Sequence, residues 1–155
     1  MRLTRFTDYS LRALVYLAQN SNSRVTITEI SEVYDISKNH LMKVISNLTR
    51  MGVVAARRGP GGGIRLNVPA ANISLGDIVS QTEKHLLDQL DGTLTTGETP
   101  LTDCRLQECQ QLALRAYLEV LARFTLADIL GPGEADFAGL ADKGEKARNS
   151  TSGAT

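Results

Sequence analysis

Apolar residues recur at helical spacing in several separate stretches of this chain, and each stretch is bounded by residues that start or stop helices. Leu11, Leu14, Val15 and Ala18, with Tyr9 and Tyr16 beside them, predict a first helix capped by Thr7 and running to about Gln19. A break rich in Ser and Asn, residues 20–24, leads to a short helix from about Thr28 to Tyr34. Asp35 and Ile36 then lead into a helix with Leu41, Val44, Ile45 and Leu48 on one side, Ser37 as its N-cap and Gly52 as its C-cap. Val53–Arg57 reads as a strand, Gly59 to Gly63 as a turn, and Ile64–Leu66 as the returning strand. Pro69 closes this hairpin, and Ser74 caps a short helix containing Leu75, Ile78 and Val79.

Beyond Lys84 the periodicity fades until Asp103, which predicts a loop. It returns in Leu112, Leu114, Ala116, Leu118, Val120, Leu121 and Phe124, on a helix expected from about Leu106 to Leu130. The apolar surface of that helix is too broad to face solvent, so a second copy of the chain is expected to cover it. The expected fold is mainly α with a small β wing: a winged helix-turn-helix domain plus a long C-terminal dimerisation helix. Its expected divisions are a DNA-binding domain over residues 1–82, a sensor loop over 83–104, the dimerisation helix over 105–130, and a disordered tail over 131–155, where small and polar residues dominate.

The chemistry of the central segment points to DNA. A helix that enters the major groove needs hydrogen-bonding groups at its leading end, and Ser37, Lys38, Asn39, His40 and Lys43 supply them. Gly61 and Gly62 let the hairpin tip approach a phosphate backbone closely. Arg57, Arg58 and Arg65 add charge suited to phosphates or a narrow minor groove. The overall charge of zero conceals a division. Residues 1–67 carry ten Lys or Arg against four Asp or Glu, a net of +6, and the remainder carries seven against thirteen, a net of −6. A basic half joined to an acidic half fits a DNA-binding unit with an appended second task.

Catalysis is not expected. His40 and His85 are the only histidines, the spacing holds no nucleophile triad or metal pair, and the glycine-rich stretch lies inside a hairpin rather than after a strand in a βαβ unit. No apolar run reaches the roughly 20 residues that span a bilayer, so no membrane partner is expected and the expected location is cytoplasmic.

The opening MRLTRFTDYSLRALVYLA, the helix SKNHLMKVISNLTRMG, the wing RRGPGGGIRL, the segment ISLGDIV and the later FTLADIL together resemble the bacterial winged-helix iron–sulfur regulators of the IscR and NsrR type. The resemblance covers roughly residues 1–130, and FTDYSLRAL and SKNHLMK look closest to the nitric-oxide-sensitive repressors, NsrR. It implies a homodimer that binds double-stranded operator DNA and releases it when an iron–sulfur cluster reacts with nitric oxide. By position it assigns Ser37, Lys38, Asn39 and His40 to the recognition helix and Arg58 to the base of the wing. It also makes Asp8 a cluster ligand donated to the partner subunit. Met42 stands where IscR-like proteins can carry an acid, which implies a different base preference.

The cysteines depart from the family's pattern. Members with a four-iron cluster usually have three, two of them in the loop; here Cys104 matches the last, and the loop from Lys84 to Asp103 has none. Cys109 follows five residues later, and on one continuous helix that step turns the two positions about 140° apart. Joint ligation therefore requires Cys104 to precede the helix. Cys104, Cys109 and Asp8 are candidate ligands, with His85 as a fourth. Three sensors remain open: an atypical cluster on these residues, oxidisable thiols at Cys104 and Cys109, or no cofactor, with Cys109 a small buried hydrophobe.

Overall fold

The computed structural model describes residues 3–59, 61–84 and 101–130; of residues 101–104 and 107 it describes the backbone alone. Five α-helices, two single-turn 3-10 helices (Ala70–Asn72 and Ala127–Ile129) and a two-stranded hairpin make up the described chain: α1 (Arg5–Gln19), α2 (Ile27–Tyr34), α3 (Lys38–Arg50), β1 (Val54–Arg57), β2 (Gly63–Leu66), α4 (Leu75–Thr82) and α5 (Leu101–Ala122). The strands are antiparallel, with Val54 opposite Leu66 and Arg57 opposite Gly63. This is the mostly helical fold with a small wing that the sequence predicts. Pro60, the 85–100 segment with His85, and the expected tail over 131–155 lie outside the described residues.

One core joins the first three helices to the wing. Ala13, Leu14 and Leu17 of α1, Ile30 of α2, and Leu41, Val44, Ile45 and Leu48 of α3 are buried together with Val25, Ile36, Val54 and Ile64. The stripe expected on α1 is rotated: Leu14 is fully buried, whereas Leu11, Val15 and Ala18 lie at the margin and Ala13 and Leu17 hold the centre. The cap of α1 also differs from expectation. Thr4, not Thr7, accepts the backbone N–H of Thr7, and Thr7 is buried with its hydroxyl donating to that of Thr82, at 2.9 Å. A buried hydroxyl needs a tertiary partner, and α4 supplies it. The same junction holds Glu83, buried, whose Oε1 accepts the backbone N–H of Thr4 at 2.6 Å.

At α2, Thr26 and Glu29 form a reciprocal capping box. The Thr26 backbone N–H, and then its hydroxyl, hold the Glu29 carboxyl below the usual carboxylate range. Asp35, in the left-handed region at φ 51°, closes α2 and turns the chain into α3. At the far end of α3 the Gly52 N–H reaches the Thr49 carbonyl and the Val53 N–H that of Leu48; Met51 is the C-cap, and Gly52, at φ 79°, stops the helix one residue past the cap position expected of it.

The last helix departs most from expectation. It begins at Leu101 and ends at Ala122, instead of running from about 106 to 130. Past Ala122 the chain turns back onto the first domain: the Leu75 N–H reaches the Phe124 carbonyl, the Leu126 N–H reaches that of Ile73, and Leu126 is completely buried in the core. Those tertiary bonds replace helix continuation. Asp128 Oδ2 closes the turn by accepting both the backbone N–H and the hydroxyl of Thr125, each at 2.7 Å.

α5 packs on α4 through Leu114, Tyr117, Leu118 and Leu121 around Val79. Burial, and then the charge of Glu83, push the Tyr117 hydroxyl above its ordinary pKa. Where the helices cross, a Cβ on Gly76 would stand 2.7 Å from the backbone nitrogen of Ala122, so only glycine fits. Gly76→Ala is therefore expected to force α4 and α5 apart and cost about 1–3 kcal/mol. Thermal unfolding measures this, and an unchanged midpoint would contradict the close crossing.

Candidate nucleic-acid interface

Burial of Leu41, Val44, Ile45 and Leu48 fixes the rotation of α3, and the opposite side is left to solvent. Ser37, Lys38, Asn39, His40 and Lys43 are all exposed, and so are Met42, Ser46 and Arg50 further along. Counting 100° per residue, Asn39, Met42, Lys43, Ser46 and Arg50 share the face opposite the core, whereas Lys38 and His40 sit on its two flanks. The outward face thus runs along the whole helix instead of being confined to its leading end. Sequence reading missed Ser46 and Arg50. Their signal was present in the same periodicity, read for its polar instead of its apolar phase.

Local contacts set several of these side chains. Ser37 occupies the N-cap position of α3 but makes no capping hydrogen bond with its hydroxyl. The turn before it is held from α2 instead, where the Ser31 hydroxyl donates to the Ile36 carbonyl at 2.7 Å. His40 leans on Tyr9 of α1, with ring centroids 6.2 Å apart. Arg50 Nη2 donates to Asn47 Oδ1 at 2.6 Å, which steers the guanidinium along the exposed face.

The wing is anchored through β2 and carries exposed residues toward its tip. Val25 and Ile64 exchange two backbone hydrogen bonds, tying β2 to the loop before α2. Arg57, Arg58, Gly61 and Arg65 are exposed; Gly62 is half-buried. A Cβ on Gly62 would stand 2.4 Å from the Arg57 carbonyl oxygen and 2.7 Å from that of Gly59, so this turn requires glycine at its inner position. The role of Gly62 is to shape the tip on which Arg57 and Arg58 are carried.

Of the candidate cluster ligands, the side chains of Asp8 and Cys109 lie among the described residues. Asp8 is half-exposed and accepts from Arg12 Nε at 2.9 Å in an i, i+4 pair on α1. Cys109 is exposed. Cys104, expected before the long helix, lies within it, because α5 starts at Leu101. Positions 104 and 109 therefore sit on one continuous helix, about 140° apart around it and roughly 7.5 Å along it. Among the described residues no group of three His, Cys, Asp or Glu is placed to hold a metal ion. The sequence holds two cysteines, one fewer than the three-cysteine set that the resemblance implies.

α5 leaves a second face uncovered. Leu106, Cys109, Ala113, Ala116 and Val120 are all exposed and follow one another at alternating steps of three and four residues. Leu112, beside this line, is 70% exposed. Such spacing is that of a helix–helix seam, and the small residues at its middle permit close approach.

The family model described as Rrf2, an iron-dependent transcriptional regulator, matches residues 3–132. Among solved structures, the oxidised form of CymR from Staphylococcus aureus is 24% identical with a TM-score of 0.67, the match covering 87% of this chain and 100% of that one. CymR (YrzC) of B. subtilis, described as its global cysteine regulator, is 22% identical with a TM-score of 0.66, covering 84% of this chain and 96% of that one. The IscR of T. potens is 27% identical with a TM-score of 0.61, covering 84% and 86%. The chain belongs to the Rrf2 family of transcriptional regulators.

The wing geometry yields a direct test. Gly62→Ala is expected to rearrange the tip while leaving the core alone, so amide NMR shifts should concentrate at Arg57–Gly63. Shifts spread through α1 and α3, or none at the tip, would contradict the crowding at Gly62.

Proposed function

We propose that this Rrf2-family regulator is a homodimeric, cytoplasmic repressor that binds operator DNA through α3 and the wing, under control of the thiols of Cys104 and Cys109. The observation that carries the DNA part is the exposed face of α3, polar along its length, beside a wing that presents Arg57, Arg58 and Arg65. A helix 10–12 Å across with its side chains matches a major groove about 12 Å wide. Asn39, Met42, Lys43 and Ser46 would then face base edges, with Ser37, Lys38 and His40 at the rim of the groove. Arg57, Arg58 and Arg65 would meet phosphates or the adjacent minor groove, with Gly61 and Gly62 shaping the tip. The exposed seam on α5 supports the dimer, because a second copy would bury it and supply the twofold symmetry of a palindromic site.

The resemblance to nitric-oxide-sensitive repressors would require a cluster, and the donor set argues against the usual one. Two cysteines on one helix, with Asp8 engaged by Arg12, favour thiol control over shared ligation. Oxidation of a thiol makes it polar or links it to another sulfur, and Cys109 lies on the α5 seam, where either change would disturb packing between copies.

Two experiments test these parts separately. Arg58→Ala should weaken binding to a labelled mixed-sequence duplex and flatten its dependence on salt, because a phosphate contact is lost. Asn39→Ala should alter the sequences selected from a random pool, with each lost base contact worth roughly 1–3 kcal/mol. An Arg58→Ala protein that binds as the wild type does, or an Asn39→Ala protein that selects the same sequences, contradicts the assigned contacts. For the thiols, peroxide treatment should release DNA from the wild type but from neither Cys104→Ala nor Cys109→Ala. Anaerobically purified protein with cluster absorption and matching iron content would overturn the thiol assignment.

A further inference from the structure

The outward face of α3 is exposed along its length. It lines an open cleft of about 970 Å³ to which the start of α1 contributes Thr4 and Phe6 and the end of α4 contributes Gln81, Thr82 and Lys84. Three cations, Lys43, Arg50 and Lys84, line this cleft, and among the described residues no carboxylate does. Glu83, between two of the lining residues, is buried and turned to the Thr4 backbone N–H. The cleft is thus cationic at its surface and continuous with the face assigned to the major groove.

A helix that fills the major groove must have sugar-phosphate strands running alongside it. Phosphates passing there carry one negative charge each and are attracted by Lys and Arg whatever the sequence. We propose that the α4 side of this cleft is the channel for one strand of the DNA backbone, and that Lys84 and Gln81 at the α4 end contact it outside both the helix-turn-helix and the wing. The proposal rests on the DNA-binding function inferred above. Lys84 neutralises a phosphate, Gln81 donates a neutral hydrogen bond beside it, and Arg50, steered by Asn47, extends the charged wall along α3.

Binding of a fluorescein-labelled mixed-sequence duplex, followed by anisotropy from about 50 to 200 mM salt, tests this. Lys84→Ala should weaken binding several-fold on every sequence and reduce the magnitude of the log–log salt slope by about 0.9, the value for one lost phosphate contact. Lys84→Arg should restore the slope. Gln81→Glu, which puts a negative charge in the channel, should weaken binding further than Lys84→Ala. Both side chains are exposed, so the melting temperature should not move. An unchanged slope for Lys84→Ala, while Arg58→Ala still lowers it, overturns the channel and leaves DNA binding intact. A loss confined to one sequence also overturns it, since phosphates carry no sequence. Wild-type protein that binds no duplex overturns the channel together with the function it rests on.

Discussion

The buried side of α3 is the constraint from which the rest of the molecule follows. Leu41, Val44, Ile45 and Leu48 recur at helical spacing and are each almost completely buried against α1, α2 and the wing. Burying each such aliphatic side chain is worth roughly 1.5–3 kcal/mol, so rotating α3 about its axis is prohibitively costly. Fixing the inner face fixes the outer one. Asn39, Lys43, Ser46 and Arg50 are therefore held toward solvent by residues that never touch a ligand. The wing is tied to the same core through Val54 and Ile64, so its arginines stand in a set relation to the helix.

A second, polar junction sits where α1 begins and α4 ends. The Thr7 and Thr82 hydroxyls meet in the interior, and Glu83 accepts from the backbone of Thr4. Buried polar groups persist only when partnered, so this junction specifies one arrangement of the two helix ends. That arrangement also builds the cationic cleft beside α3, because it brings the Lys84 end of α4 next to the outward face. Gly76 plays the complementary role on the far side of α4, where its missing side chain lets α5 approach.

Much of this was legible in the sequence. The apolar period on α3, the glycine after it, the glycine-rich hairpin and the Ser74 cap each specify local structure through short-range chemistry, and each forms as expected, with Gly52 one place past the cap. Thr4 and Thr7 could not be told apart as caps, since both hydroxyls lie near the same turn and only the tertiary pairing with Thr82 assigns Thr7 inward. The end of α5 was obscured for a similar reason. Phe124, Leu126 and Ile129 continue an apolar pattern, but the chain leaves the helix to bond Ile73 and Leu75, more than forty residues earlier. Cys104 changed its meaning with the start of that helix: the spacing to Cys109 was readable, whereas whether both fall on continuous helix was not. Lys84 and Arg50 become neighbours of one cleft only through folding, and no local pattern announces that.

The central claim is that two copies of α3 and its wing, related by a twofold axis, read one DNA duplex. Selection from a random duplex pool with the full chain, followed by hydroxyl-radical footprinting of the enriched sequence, tests it most directly. The account predicts a palindrome with two protected half-sites centred about one helical turn apart, roughly 34–36 Å. A single asymmetric footprint, or no enrichment over the starting pool, would contradict it.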